Sequence, residues 1–142
     1  VPVFNFQKLV RDKIVGFSID DPHIREVKYR ALEEGVEYRA ALREKIFEEG
    51  QEIPIQDTCD NGVIEEIADL QTVIDTLCKS YGISEEELKL AQRQKIAEKG
   101  GFNERHFIEW VDCDEKSQWA GYFQAQPEKY KEITKQDIGS FL

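Results

Sequence analysis

Lys45-Ile-Phe-Glu-Glu-Gly-Gln-Glu-Ile-Pro54 and Asp60-Asn-Gly-Val-Ile-Glu-Glu-Ile-Ala-Asp-Leu70 are the two stretches whose reading decides the fold of this chain. The first closes a helix predicted from about Glu34 to Ile53, because Pro54 cannot continue one comfortably. The second opens another, with Asp60 as a side-chain N-cap, Tyr81 near its end and Gly82 as the residue beyond it. Between them lies only the polar connection Gln56-Asp-Thr-Cys-Asp60, and so short a link favours antiparallel neighbours.

Four acids sit unusually in this hairpin. Glu49 and Glu52 are spaced i, i+3, and so are Glu66 and Asp69, which puts each pair on one helix face. The apolar stripe of the second helix is Val63, Ile67, Leu70, Ile74 and Leu77, flanked by Val73 and Cys78. Glu66 falls inside that arc and Asp69 on its edge, while Glu65, Thr72 and Thr76 mark the wet side. In the first helix the stripe is Tyr38, Leu42, Ile46 and Ile53; Glu49 stands where a hydrophobe belongs, Glu52 and Lys45 flank it, and Glu48 points further out. Glu66 and Asp69 lie about 9 to 14 Å into their helix at about 1.5 Å per residue, close to the height of Glu49 and Glu52 in an antiparallel pair. Two carboxylates about 4 Å apart repel by about 4 kcal/mol at an effective dielectric near 20, so such a cluster must be protonated, paired with bases or filled by a cation. An all-oxygen carboxylate set suits Mg²⁺, or Mn²⁺, rather than zinc. The competing reading is a structural network in which Lys45 and a nearby arginine neutralise the acids.

Working outward, Ser84-Glu-Glu-Glu87 has the capping-box pattern and starts a third helix that ends at Gly100-Gly101. Leu88, Ala91, Lys95 and Lys99 share one stripe of it. Near the N-terminus Lys8, Arg11 and Lys13 cluster around Asp12, within a short helix expected over Phe6 to Phe17; Val27 to Leu32 reads as extended. These five basic residues are candidates for holding phosphate oxygens. The last forty residues mix aromatics with charge, with a possible strand over Phe107 to Val111 and a short helix opened by Pro127. Phe6, Phe102 and Trp110 are candidates for base stacking by residue type.

Composition narrows the function classes. Nineteen basic against 29 acidic residues give a net charge of −10, which repels nucleic acid. No apolar run is long enough to span a membrane and no signal peptide is visible, so a cytoplasmic location is expected. Cys59, Cys78 and Cys113 form no CxxC pair and, with His23 and His106, no zinc spacing, and read as reduced thiols.

These residues resemble a known family. Glu49/Glu52 followed by Glu66/Asp69 matches the ExxE and ExxD motifs of the MazG-like all-α nucleoside triphosphate pyrophosphohydrolases, the superfamily that includes phosphoribosyl-ATP pyrophosphatase. Lys8-Leu-Val-Arg-Asp-Lys-Ile14 and Lys99-Gly-Gly-Phe102 resemble two further signatures of one branch, with Val15 in place of its proline and Lys99 in place of its arginine. The resemblance covers roughly residues 4 to 105 and implies an all-α, four-helix-type bundle that assembles as a homodimer or homotetramer, with sites near subunit interfaces. It implies a pyrophosphohydrolase domain over 1–105; the C-terminal extension, 106–142, lies outside the resemblance, and its mix of aromatics and charge reads as an arm packing on the bundle or a partner subunit. The resemblance also implies Mg²⁺-dependent cleavage of a nucleotide between its α and β phosphates. Glu49, Glu52, Glu66 and Asp69 would be metal ligands and catalytic residues, and Lys8, Arg11, Lys13, Lys95 and Lys99 would lie on the substrate phosphates. The alternative is a non-catalytic helical oligomer that binds nucleotide or metal without turnover.

Overall fold

The computed structural model describes residues 1–139. Among them every regular element is a helix, and no strand forms: α1 is Ile14–Asp20, α2 Val36–Glu52, α3 Asn61–Tyr81, α4 Glu85–Lys99, α5 Gln118–Gln124 and α6 Lys135–Gly139. None is long and apolar enough to cross a membrane. The chain divides into two compact units, Val1–Lys99 and Gly100–Leu142, the second opening on the first glycine of the Gly100-Gly101 pair.

The first unit is organised by the antiparallel hairpin of α2 and α3, the one pair of helices in close packing among the described residues. The expected boundaries hold here because local chemistry fixes them. Asp60 Oδ1 accepts the Val63 N–H at 3.0 Å and caps α3. At the other end Gly82 takes a left-handed φ of 72°, and the Gly82 and Ile83 N–H groups both turn back to the Cys78 carbonyl. A glycine lowers the cost of that turn, since a Cβ is disfavoured at positive φ. Ser84 and Glu87 form the reciprocal cap of α4, with the Glu87 N–H donating to Ser84 Oγ at 3.1 Å.

Leu42 of α2, 4% exposed, is the most deeply buried apolar side chain, and Tyr38, Ile46, Val63, Leu70, Val73 and Leu77 are half-buried around the seam. Ile67 departs from the expected stripe and is 49% exposed. With α2 as the only close helical neighbour, the seam covers the arc through Val63, Glu66, Leu70, Val73 and Leu77, and Ile67 lies one position round from Glu66.

Three local expectations give way. The N-terminal helix begins at Ile14 rather than Phe6, because Gln7 adopts a positive φ of 47° that no helix interior accommodates. Residues 107–111 form no strand, since the second unit offers them no partner strand for a ladder. Pro127 opens a single turn, closed by the Tyr130 N–H on the Gln126 carbonyl at 2.8 Å, and not a helix. The short helices of that unit are capped instead by Ser117, which accepts from the Trp119 N–H, and by Thr134. Trp119, Tyr122, Phe123 and Tyr130 form its aromatic cluster, with ring centroids 4.9 to 6.4 Å apart, beside an open cleft of about 630 Å³. All three cysteines are unpaired thiols.

Candidate divalent-cation site

Glu49 is the second deeply buried residue of the hairpin, 8% exposed. It sits on the face of α2 turned to α3, one turn above Lys45, whose Nζ lies 3.4 Å from Glu49 Oε1. Its other oxygen, Oε2, is enclosed and has no hydrogen-bond partner. Across the seam the half-buried Glu66 repeats the pattern: its Oε2 is also enclosed and unpartnered. Glu52, on the exposed rim, completes a trio in which one carboxylate oxygen from each of Glu49, Glu52 and Glu66 lies within 4.8 Å of the others.

At 4.8 Å two ionised carboxylates repel by about 3.5 kcal/mol at an effective dielectric near 20, with screening reducing this for exposed Glu52. Burial, and then the neighbouring Glu52, push the Glu49 carboxyl above its ordinary proton affinity, while Lys45 pulls it back. Asp69 stands apart from the trio and is held by the Arg11 guanidinium, Nη2 to Oδ1 at 2.5 Å. Glu48, which the helix pattern sends outward, instead receives two cations: Lys8 Nζ at 2.7 Å and Lys45 Nζ at 3.3 Å. The Lys8 hydrogen bond holds the Glu48 carboxyl below its usual range, and Glu48 in turn raises Lys8.

The expected residues therefore divide. Glu49, Glu52 and Glu66 come together; Asp69 borders them under Arg11; Lys8 reaches the same region through Glu48. Lys13 is exposed at the N-cap of α1. Lys95 and Lys99 are exposed on α4, which packs on neither α2 nor α3, so the chain does not bring them to its own carboxylates. Of the stacking candidates, Phe6 lies beside Lys8, whose Nζ is 5.7 Å from the ring centroid, and Phe102 stands in solvent. Spacing rules missed Glu48, because its partner Lys8 lies forty residues away.

The structural-network reading is partly realised, since Lys45 does pair with Glu49 and an arginine does pair with Asp69. It leaves the cluster incomplete. The five carboxylates of Glu48, Glu49, Glu52, Glu66 and Asp69 face the three cations of Lys8, Arg11 and Lys45, an imbalance of two negative charges, with two enclosed oxygens unpartnered. One divalent cation would balance that charge, and a hard, all-oxygen donor set is of the kind that suits Mg²⁺ or Mn²⁺. Comparison of the chain with protein-family models, curated proteins and solved structures gave no match.

Proposed function

We propose that the protein is a Mg²⁺-dependent nucleotide pyrophosphohydrolase of the MazG-like type, which cleaves a nucleoside triphosphate or related nucleotide to the monophosphate and pyrophosphate. The observation that carries this is the convergence of Glu49 and Glu66 across a helix seam with Glu52 beside them, the Oε2 of both Glu49 and Glu66 being enclosed and unpartnered. Buried carboxylates held without partners cost stability, and a bound cation repays that cost. The resemblance of Lys8–Ile14 and of the two acid pairs adds the phosphate chemistry.

In this reading Glu49, Glu52 and Glu66 hold the cation, with Mn²⁺ as a substitute and Asp69 as the fourth carboxylate. A cation held there would supply positive charge at the α-phosphoryl group and make water easier to deprotonate. Water adds to the α-phosphorus, the α–β anhydride bond breaks, and the bonding electron pair leaves with pyrophosphate. Glu49, the most buried carboxylate of the trio, takes the water proton. Lys8 and Arg11, already at the rim, steady the phosphate oxygens.

The same reading includes a homodimer or homotetramer. The chain exposes 13534 Å² of surface. A monomer of its 16.5 kDa exposes about 7,500 Å², and two separate units of these sizes about 9,000 Å². A second copy covering that excess supplies the third and fourth helices of a bundle and a route for Lys95 and Lys99 to reach a set of carboxylates. The C-terminal unit, as an arm on bundle or partner, and a cytoplasmic location, in keeping with three unpaired thiols, belong to this proposal.

The test is pyrophosphate release from a panel of standard and modified nucleotides, with Mg²⁺ and with EDTA. Release that needs Mg²⁺ and is abolished in Glu66→Gln supports the proposal. No release across the panel from folded protein overturns it; calorimetric heat of nucleotide binding without product assigns the chain to the non-catalytic alternative.

A further inference from the structure

Residues 1–13 contain no regular element, and Val1, Val3 and Phe4 are exposed. Two cations of this segment nonetheless cross to the hairpin and land on different helices, Lys8 on Glu48 of α2 and Arg11 on Asp69 of α3. Exposed pairs of this kind contribute little to stability and exchange readily for better partners. Arg11 makes one contact here, from Nη2, although its planar fork is built for two-pronged contact with a phosphate.

Asp69 is spaced i, i+3 from Glu66 on α3 and lies beside the trio, yet it is not among the oxygens that converge there. The guanidinium holds one of its two oxygens, Oδ1. Resting on the cation-dependent reading above, we infer that Arg11 is a positioning residue: it keeps Asp69 out of the cation set until a phosphate group takes the guanidinium away. The cation alone is then held by Glu49, Glu52 and Glu66, and Asp69 joins them when a phosphorylated ligand is bound. The coupling is reciprocal, so phosphate binding tightens the hold on the cation and the cation tightens the hold on phosphate. Free Mg²⁺ is held loosely and the magnesium complex of a polyphosphate tightly.

A double-mutant cycle read by calorimetry tests this without turnover, using Mn²⁺ alone and preformed magnesium pyrophosphate as probes. Arg11→Met keeps the length of the stem and frees Asp69, and should tighten Mn²⁺ binding several-fold. Asp69→Asn in the wild-type background should weaken Mn²⁺ by much less than Arg11→Met tightens it, and weaken magnesium pyrophosphate on the order of tenfold. Added to Arg11→Met, Asp69→Asn should remove the whole gain in Mn²⁺ affinity. If Arg11 acted only by its charge at a distance, the two substitutions would be additive, and Asp69→Asn would weaken Mn²⁺ in wild type by as much as Arg11→Met tightens it. That additivity, or no effect of Arg11→Met, overturns the inference while leaving the cation reading intact. Absence of Mn²⁺ binding in wild type, indistinguishable from Glu66→Gln, removes the cation reading and the inference with it.

Discussion

Glu66→Leu should make the cation-free protein more stable and the cation-loaded protein relatively less so. Glu66 brings an enclosed oxygen without a partner into the α2–α3 seam, and it carries no ion pair of its own. Leaving a buried acceptor unsatisfied costs about 1–3 kcal/mol. Its repulsion with Glu49 adds about 3.5 kcal/mol or more if both are ionised within 4.8 Å, and the raised proton affinity of Glu49 and the nearby Lys45 reduce this. Leucine removes both penalties and extends the Val63–Leu70–Leu77 stripe, so a net gain of about 2 kcal/mol is expected in EDTA. For a unit of this size that gain is a rise of roughly 8–16 °C in melting temperature. With Mg²⁺ at a hundred times its dissociation constant, wild type gains about 2.7 kcal/mol from binding, and the variant gains none.

Thermal melts of wild type, Glu66→Leu and the near-isosteric Glu66→Gln, each with EDTA and with MgCl₂, give the six melting temperatures needed. The order in EDTA should be Leu above Gln above wild type, because glutamine removes the charge but keeps a polar atom in the enclosed position. The order of the Mg²⁺-induced shifts should be the reverse. A Glu66→Leu protein that melts below wild type in EDTA would show that the carboxylate makes favourable contacts in the cation-free fold. A Mg²⁺ shift that survives the substitution would show that any cation binds elsewhere. Either result refutes the reasoning from charge imbalance and enclosed oxygens.

Glu49 gives a pH dependence of defined sign. Its proton affinity is raised in the folded state, so the folded chain binds more protons than the unfolded one above the ordinary value of 4.5, and stability must fall as pH rises through that window. Urea unfolding in EDTA should therefore show wild type gaining stability on acidification from neutrality toward pH 4.5, with Glu49→Gln flattening that gain; an unchanged slope would show that Glu49 is not the group responsible. Below that range the sign reverses, as Glu48, held low by Lys8, and the capping Asp60 are protonated and their contributions are lost. Gly82→Ala should cost about 1–2 kcal/mol from the positive φ alone, since no neighbour lies within 4 Å of a Cβ built there, and should shift the urea midpoint without changing its slope. Sedimentation equilibrium should return a mass at least twice 16.5 kDa, and a monomer at micromolar concentration would remove the assembly from the proposed function.

What the residues reveal in advance depends on how far apart the interacting groups are in the chain. The α2–α3 hairpin is legible because its punctuation is local: Pro54, Asp60, Gly82 and Ser84 each act within a turn of their own position. The convergence of Glu49, Glu52 and Glu66 is legible one step further, since periodicity fixes the face of each helix and a short connection fixes their antiparallel pairing. The same logic fails at Ile67, because a broad apolar arc on α3 does not say which part a single neighbouring helix will cover. It fails again at Glu48, Arg11 and Asp69. Those pairings span forty and 58 residues through a segment with no regular structure, and neither period nor spacing carries information across such a gap. The positions legible in the sequence are the ones that make the site acidic, whereas those that decide how much of that acidity is free for a cation arise only in three dimensions. The acid motifs alone make four equivalent candidates, but the folded chain distinguishes three convergent carboxylates from a fourth that is hydrogen-bonded to a guanidinium. Motif spacing therefore misses the Arg11–Asp69 and Lys8–Glu48 pairs that border the acidic cluster.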